Sequence, residues 1–458
     1  MNFLPNIPKA IIPILVINFI STLSFSIVLP FLFILVDDYG GNAFIYGILG
    51  ATYSVFQLIG SPLLGTWSDK LGRRPILLLS QFGTLVAWII FLISFYLGEA
   101  SIIDINNPLL GAFVLTLPLM ALFFARALDG ITGGNVSVAN AYLVDVSTKE
   151  DRTKNFGYMS VSASLGFVIG PALAGLLGNT SLGLVLPVMS AILISAIALL
   201  LIIFLLKPEE KEEKIEPEKI TTTKKSSFRD VLAIPHIKLL LLMNFIIFLG
   251  FNFFYISFPV FIILEIGWNE FELGLLLTFL SLCMVLVQGP ILSRLSDKTS
   301  TNNLMIVGSV ILAVGFAIVT LEATIYLYIA MVLVAVGNGV LYPSLIATIS
   351  NHAGEEHQGA TQGYAASSGS LASIMGLIIG GVLYNLLKST LFIFSAVTIF
   401  VLAFMALRLR IVEKEHKLDS QSVDKLIKTS KPVVVNCDPM TVPKKFVSHS
   451  DLEEGSIS

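Results

Sequence analysis

Charge is what this chain lacks. Only 13% of its residues are Asp, Glu, Lys or Arg, against about 25% in an ordinary soluble domain. That scarcity excludes a large soluble enzyme, and no nucleic-acid partner is expected. Cysteine is scarce too, with two in the chain. Cys283 lies in an apolar run and Cys437 in a polar tail, so no structural disulfide joins them. No cleavable signal peptide is expected at the start. The first eight residues are short and nearly neutral, and the apolar run after Lys9 is long enough to span a bilayer. No metal site, nucleotide loop or nucleophile constellation is legible. Neither bond chemistry nor a cofactor is therefore expected, and energy must come from an ion gradient.

Apolar length is what the chain has. It is 55% hydrophobic, with 32 Phe and 35 Gly in 458 residues. A spanning helix needs roughly 20 apolar residues. Segments of that length fall at about 10–36, 43–67, 75–97, 117–145, 156–178, 182–206, 237–264, 271–293, 303–321, 324–349, 361–386 and 389–411. The fold class is therefore an all-α membrane protein with twelve transmembrane helices. Residues 108–145 are too long for one ordinary helix, so "PLLGAFVLT" reads as an outer loop or a helical extension.

Lysine and arginine orient the spans, because short cytoplasmic loops collect them. With both termini cytoplasmic, only Arg126 and Lys388 of the 28 basic residues fall elsewhere. The outer loops hold Asp37, Asp38, Glu99, Asp104 and Glu322 instead. The charged segment 207–235 splits the spans into halves 1–206 and 236–411 and reads as a cytoplasmic linker. The polar tail 412–458 reads as disordered.

The halves echo each other. In "SPLLGTWSDK" (61–70) and "GPILSRLSDK" (289–298), Pro62, Ser68, Asp69 and Lys70 map to Pro290, Ser296, Asp297 and Lys298. Duplicated six-helix halves with a site at the midplane are a transporter architecture.

"GTWSDKLGRR" (65–74) resembles the loop motif of the major facilitator superfamily, with matches at Gly65, Asp69, Lys70, Gly72, Arg73 and Arg74. Gly65 permits close helix approach and Gly72 a tight turn. Asp69 can accept hydrogen bonds at the next helix start, and Arg73 can pair with a carboxylate. The resemblance implies Asp145 as that partner, in a latch that holds the halves outward-facing and releases as they rock. A plain positive-inside loop would also use these basic residues. In "GYMSVSASLGFVIGPALAG" (157–175), Gly157, Gly166, Gly170, Pro171 and Gly175 are similar to the span-five motif of the superfamily's proton-exchanging exporters. Ala174 departs from that motif. Small-residue helix packing alone would give part of the same pattern. In the second half Gly376, Gly380 and Gly381 remain, but Leu377 stands where Pro171 would be. The resemblance covers about residues 10–411, is nearest to tetracycline-type drug:proton antiporters, and implies the two pseudo-symmetric six-helix bundles of that fold.

"ARALDGITGG" in span four carries Arg126 and Asp129 three residues apart, on adjoining helix positions. Arg126 shares a face with Gly130 and Gly133, so both charges point inward. Arg126 lies roughly 13 Å into the span at the usual rise. A charge there is by default functional. The resemblance expects Arg126 and Gly130, but most members carry Gln or an apolar residue where Asp129 stands. Burial and a neighbouring cation act on a carboxyl in opposite directions, which suits proton coupling. A permanent structural Arg–Asp pair is the alternative.

Span seven holds seven phenylalanines, most of them read as lipid-facing. Asn252 with Tyr255, Asn338 with Tyr342, and Tyr53 with Gln57 are the candidate substrate-lining residues, each pair at helical spacing. His352 and His357 read as solvated loop residues, and no metal is expected. The chain thus reads as a monomeric, proton-coupled exporter of small organic molecules, in keeping with a bacterial inner membrane. A proton-coupled nutrient uptake symporter and a non-transporting sensor or scaffold are the competing readings.

Overall fold

The computed structural model describes residues 8–206 and 228–429, apart from 29, 99, 134, 149, 150 and 297. Residues 207–227 of the expected linker, the tail beyond 429, Asp297 and the His357 side chain lie outside the described residues. The elements are α1 (Ile12–Ser26), α2 (Leu32–Asp38), α3 (Ala43–Leu71), α4 (Arg73–Ser94), β1 (Ser101–Asn107), β2 (Gly111–Thr116), α5 (Leu117–Thr132), α6 (Asn135–Asp145), α7 (Arg152–Gly178) and α8 (Val185–Leu205). After them come α9 (Phe228–Ala233), α10 (Ile237–Leu264), α11 (Glu270–Leu286), α12 (Leu292–Ser296), α13 (Thr301–Ile318), α14 (Thr324–Leu387) and α15 (Leu391–Thr429).

Among the described residues nine helical stretches are long and apolar enough to cross a membrane. One of them, Ala360–Val412, holds two spans. The remaining two spans are broken into short pieces, α1–α2 and α5–α6, which completes the twelve. The first break, between Ser26 and Leu32, holds Pro30, which has no N–H to donate to a helical ladder. Side chains such as Phe204, Leu193 and Phe404 stand exposed on the helices. That is the surface a protein presents to hydrocarbon rather than to water.

Two features differ from the sequence reading. The segment before span four is a β-hairpin, not a loop or a helical extension, and adds one two-stranded ribbon to the helical fold. β1 and β2 pair antiparallel, with Asn107 opposite Gly111. Gly111 supplies the positive φ (79°) at the turn. Spans ten and eleven also follow one another within α14, with no irregular loop between them. Its two arms nonetheless run in opposite directions along α10. Tyr342 meets Phe248 and His352 meets His236 on the first arm. On the second, Asn244 Nδ2 donates to the Ala365 carbonyl (2.8 Å) and the Tyr384 hydroxyl donates to Glu265 Oε1 (2.7 Å). The chain therefore reverses between His352 and Ala365. His352 is correspondingly a half-buried helix residue, its ring edge-on to His236, rather than a solvated loop residue.

The halves form one compact unit through Leu409. From Arg410 the chain is a separate unit. It stays helical to Thr429, where an irregular tail was expected from residue 412. The halves meet at the end of the bundle that carries the hairpin, through α3 against α14 and α7 against α11. Backbones touch there. A Cβ on Gly274 would sit 2.8 Å from the Pro171 carbonyl oxygen and 3.1 Å from the Gly175 Cα. At the opposite end, which carries the Gly65–Arg74 loop, a vestibule of about 830 Å³ opens between α7, α11 and α14. The structure is thus closed at the hairpin end and open at the loop-motif end. Replacing Gly274 by Leu is expected to wedge the closed end apart. Spin labels on cysteines placed at Asn179 and Asn269 should then report a longer distance, and an unchanged distance refutes the closure.

Candidate functional site

The site is built on α5, whose start and stop are both encoded locally. Thr116 caps it by accepting from the Leu119 N–H, and Pro118 sits in the first turn. The helix ends at Thr132, and the Gly133 N–H returns to the Asp129 carbonyl at 2.6 Å. α5 packs between α3 and α4. This places Arg126 and Asp129, only 4% and 6% exposed, in the middle of the first half.

The two charges meet loosely. Arg126 Nη1 stands 3.5 Å from Asp129 Oδ2, at the outer limit of a hydrogen bond. Arg126 Nε has no hydrogen-bond partner. The guanidinium lies instead over two ring faces, 4.9 Å from the centroid of Tyr53 and 5.5 Å from that of Phe25. Such contacts are worth about 0.5–2 kcal/mol each, more when desolvated. Two rings therefore rival one long ion pair as the arginine's main stabiliser.

Asp129 opens on a polar chamber of about 380 Å³. Asn18, Ser21 and Thr22 line it from α1, Tyr53 and Gln57 from α3, and Gln81 and Thr84 from α4. Thr84 shares this lining with Asp129. Gln57 Nε2 donates to the Tyr53 hydroxyl at 3.1 Å. A second chamber of about 340 Å³ lies between the halves and is mostly apolar, with the aromatic residues Tyr46, Phe251, Phe254, Tyr255 and Phe258 in its wall. Phe167 borders both chambers.

The expected lining residues divide among three cavities. Tyr53 and Gln57 line the polar chamber and Tyr255 the aromatic one. Asn338 and Tyr342 share a smaller recess of about 180 Å³ with Phe248 and Phe251. Asn252 does not line any of these. Its Nδ2 donates to the Phe248 carbonyl (2.7 Å) and to Ser373 Oγ (3.1 Å), tying α10 to α14. The span-seven phenylalanines are mostly not lipid-facing either. Phe253, Phe254, Phe258 and Phe261 are buried, and Phe254 stacks on Phe316 at 4.6 Å. Helical periodicity is lost in a span apolar on every side, so sequence could not assign those rings a face. Gln288 was missed. It borders both the aromatic chamber and the vestibule, carried there by a π-helical turn over Val287–Ile291. Pro290, already visible in the repeat, is the signal. Without its N–H the regular ladder cannot continue.

The motif residues fall into separate clusters. Gly72 has φ 94°, a left-handed-side conformation that turns the chain from α3 into α4. Gly65 lends its carbonyl to Ser68 Oγ (2.7 Å), and Lys70 is exposed. Arg73 donates to Ser68 Oγ (2.8 Å), to Asp69 and to Asp145 Oδ2 (3.0 Å). Arg74 Nη2 donates to the Ile203 carbonyl at 2.6 Å. All of these partners belong to the first half, so rocking of the halves does not by itself part Arg73 from Asp145. The pair braces α4 against α6 within the first half. In span five, Gly166 and Gly170 pack on α1, Pro171 and Gly175 on α11, and Gly157 faces the vestibule.

The sequence profile of the Major Facilitator Superfamily matches residues 14–269 and again 240–448. The chain belongs to that superfamily. It is 29% identical over 350 residues to the class C tetracycline resistance protein of Escherichia coli, covering 75% of this chain and 81% of that one. It is 27% identical over 436 residues to multidrug resistance protein 2 of Bacillus subtilis (strain 168), covering 92% and 99%. Among solved structures, a D-xylose-proton symporter superposes with TM-score 0.70 at 14% identity, over 87% of this chain and 97% of that one. A human organic anion transporter gives 0.64 at 19%, over 88% and 100%. The last two show the fold.

A major facilitator protein is a multi-pass integral membrane transporter, and the superfamily's members are transporters rather than enzymes. Within it, the Arg73 cluster is a brace whose strength follows from exposure. Asp145 is half exposed and Arg73 is 17% exposed. Asp145→Ala should cost less than ~1 kcal/mol, whereas Arg73→Ala, which loses Ser68 and Asp69 as well as Asp145, should cost about 1–3 kcal/mol. Thermal unfolding in detergent should rank the two in that order, and the reverse order refutes the brace.

Proposed function

We propose that this chain exports small, drug-like organic molecules in exchange for protons by alternating access. The observation that carries this reading is the juxtaposition of a carboxylate-bearing polar chamber with an aromatic, uncharged one across Phe167. The first suits a proton and the second a lipophilic body. The named functions of the tetracycline and multidrug resistance relatives support export. In this reading the loop-motif end faces the cytoplasm, both termini lie there, and the structure is the inward-open state of a monomer in a bacterial inner membrane. The aromatic chamber then collects substrate from the cytoplasm or the inner leaflet. Arg126 and Asp129 form the coupling site, and the proton gradient replaces any bound cofactor.

Holding two charges in the bilayer core merely as a staple is expensive, since a central charge costs about 2.5–3.5 kcal/mol even on the mildest scale. That expense favours a working role for the pair. The span-five motif carries the closure needed for alternation, with Pro171 and Gly175 meeting the other half and Gly166 and Gly170 anchoring the span on its own. The Arg73–Asp145 brace keeps the first half rigid while it rocks.

Asp129→Asn should abolish drug accumulation driven by an imposed pH gradient in inside-out vesicles, tested with tetracycline and ethidium. The variant should remain folded by size-exclusion chromatography. Wild-type accumulation with wild-type pH dependence in Asp129→Asn refutes the coupling role. Accumulation only under the opposite gradient direction points to an uptake symporter instead.

A further inference from the structure

The looseness of the Arg126–Asp129 pair has a chemical consequence. An arginine side chain keeps its charge under all physiological conditions. When a neighbouring aspartate takes up a proton, the arginine loses its anionic partner while still buried. A buried cation left without a partner is strongly destabilising. The first half of this protein offers no substitute anion near the pair. Among the described residues no other charged side chain lines the polar chamber or the aromatic one. α1 has no charged residue at all, and α4 has only Arg73 and Arg74, at its loop-motif end. The titratable group that α3 presents is Tyr53, and Tyr46 and Tyr255 border the chamber beyond.

Two uncharged ring faces are already in place. Tyr53 and Phe25 stand 5.2 Å apart, tilted by 38°, and form a corner around the Arg126 guanidinium. Each ring is held from behind. Gln57 donates to the Tyr53 hydroxyl, and Phe167 packs edge-on against Phe25 at 6.3 Å. A ring quadrupole attracts a cation irrespective of pH, and a guanidinium shared between rings and carboxylate can settle wholly onto the rings once the aspartate is neutral, so the corner contributes more in that state. The carboxylate serves only in the ionised one.

Resting on the coupling reading of Asp129, we propose that Phe25 and Tyr53 are positioning residues for proton coupling, whose ring faces hold the Arg126 charge while Asp129 is neutral. They make the neutral state of the aspartate accessible without touching the proton. Removing the rings leaves the carboxylate as the arginine's sole partner. Proton loading must then break the one contact that neutralises a buried cation.

The test is an infrared titration of the purified full chain in lipid, which needs no substrate. The carboxylic-acid band that Asp129→Asn removes reports the occupancy of that site by a proton. In the Phe25→Leu/Tyr53→Leu double variant, half-occupancy should require about tenfold or more higher proton concentration than in wild type. Tyr53→Phe and Phe25→Tyr keep the faces and should titrate as wild type does. This separates ring electrostatics from the Tyr53 hydroxyl and from loss of packing. A double variant that titrates at the wild-type midpoint overturns the proposal, whatever its stability. So does an equal shift in Tyr53→Phe. If no band depends on Asp129, the coupling reading falls and this proposal with it. If the band depends on Asp129 but the ring variants do not move it, this proposal alone falls.

Discussion

A guanidinium inside a membrane protein cannot be neutralised by shedding its proton, so the protein around it has to be arranged to tolerate it. Arg126 imposes that condition here. Its surroundings are an ion pair too long to be tight, two aromatic faces and a polar chamber within the first half. α5 is held in that position by close backbone approach. A Cβ on Gly130 would press on Phe56 of α3, and one on Gly83 of α4 would strike Thr132. Small residues thus let the helices approach, and the approach brings Phe25 and Tyr53 over the charge. Local sequence, packing and electrostatics serve one requirement at this point.

The same small-residue logic operates between the halves, to a different end. Where α7 meets α11, the contact is backbone on backbone around Pro171, Gly175 and Gly274. Such an interface has few long side chains to reorder when it parts, which suits a contact made and broken in every cycle. At the open end the helices have drawn apart around a vestibule whose wall includes Gln288 on a π turn. The aromatic chamber lies between these two ends. Phe167 separates it from the polar chamber and also supports Phe25. The two cavities are therefore mechanically adjacent as well as spatially close.

The major-facilitator loop motif shows how topology limits what an ion pair can do. Arg73 reaches Asp145, the partner implied by resemblance, yet both residues belong to one half. A pair placed inside one half acts first on that half. It stiffens α4 and α6. The contacts that differ between conformations have to cross from one half to the other, and in this state they lie at the hairpin end.

Sequence by itself determined the membrane spans, the superfamily and the buried arginine. Those follow from hydrophobic length, from basic-residue asymmetry and from motifs with strict spacing. Even the break that holds Pro30 has a local cause that sequence displays. Tertiary structure alone decided which face of each wholly apolar helix points inward. No periodicity marks that choice when both lipid and core favour the same residues. The span-seven rings therefore proved to be core, and Asn252 proved to be a helix tie. The β-hairpin likewise depends on the end of the bundle on which it rests. Above all, the ring corner around Arg126 joins residues from α1, α3 and α5 that lie far apart in the chain. A cation over a ring face leaves no pattern in sequence, because it requires only that two distant helices bring an aromatic residue to the same depth as the charge.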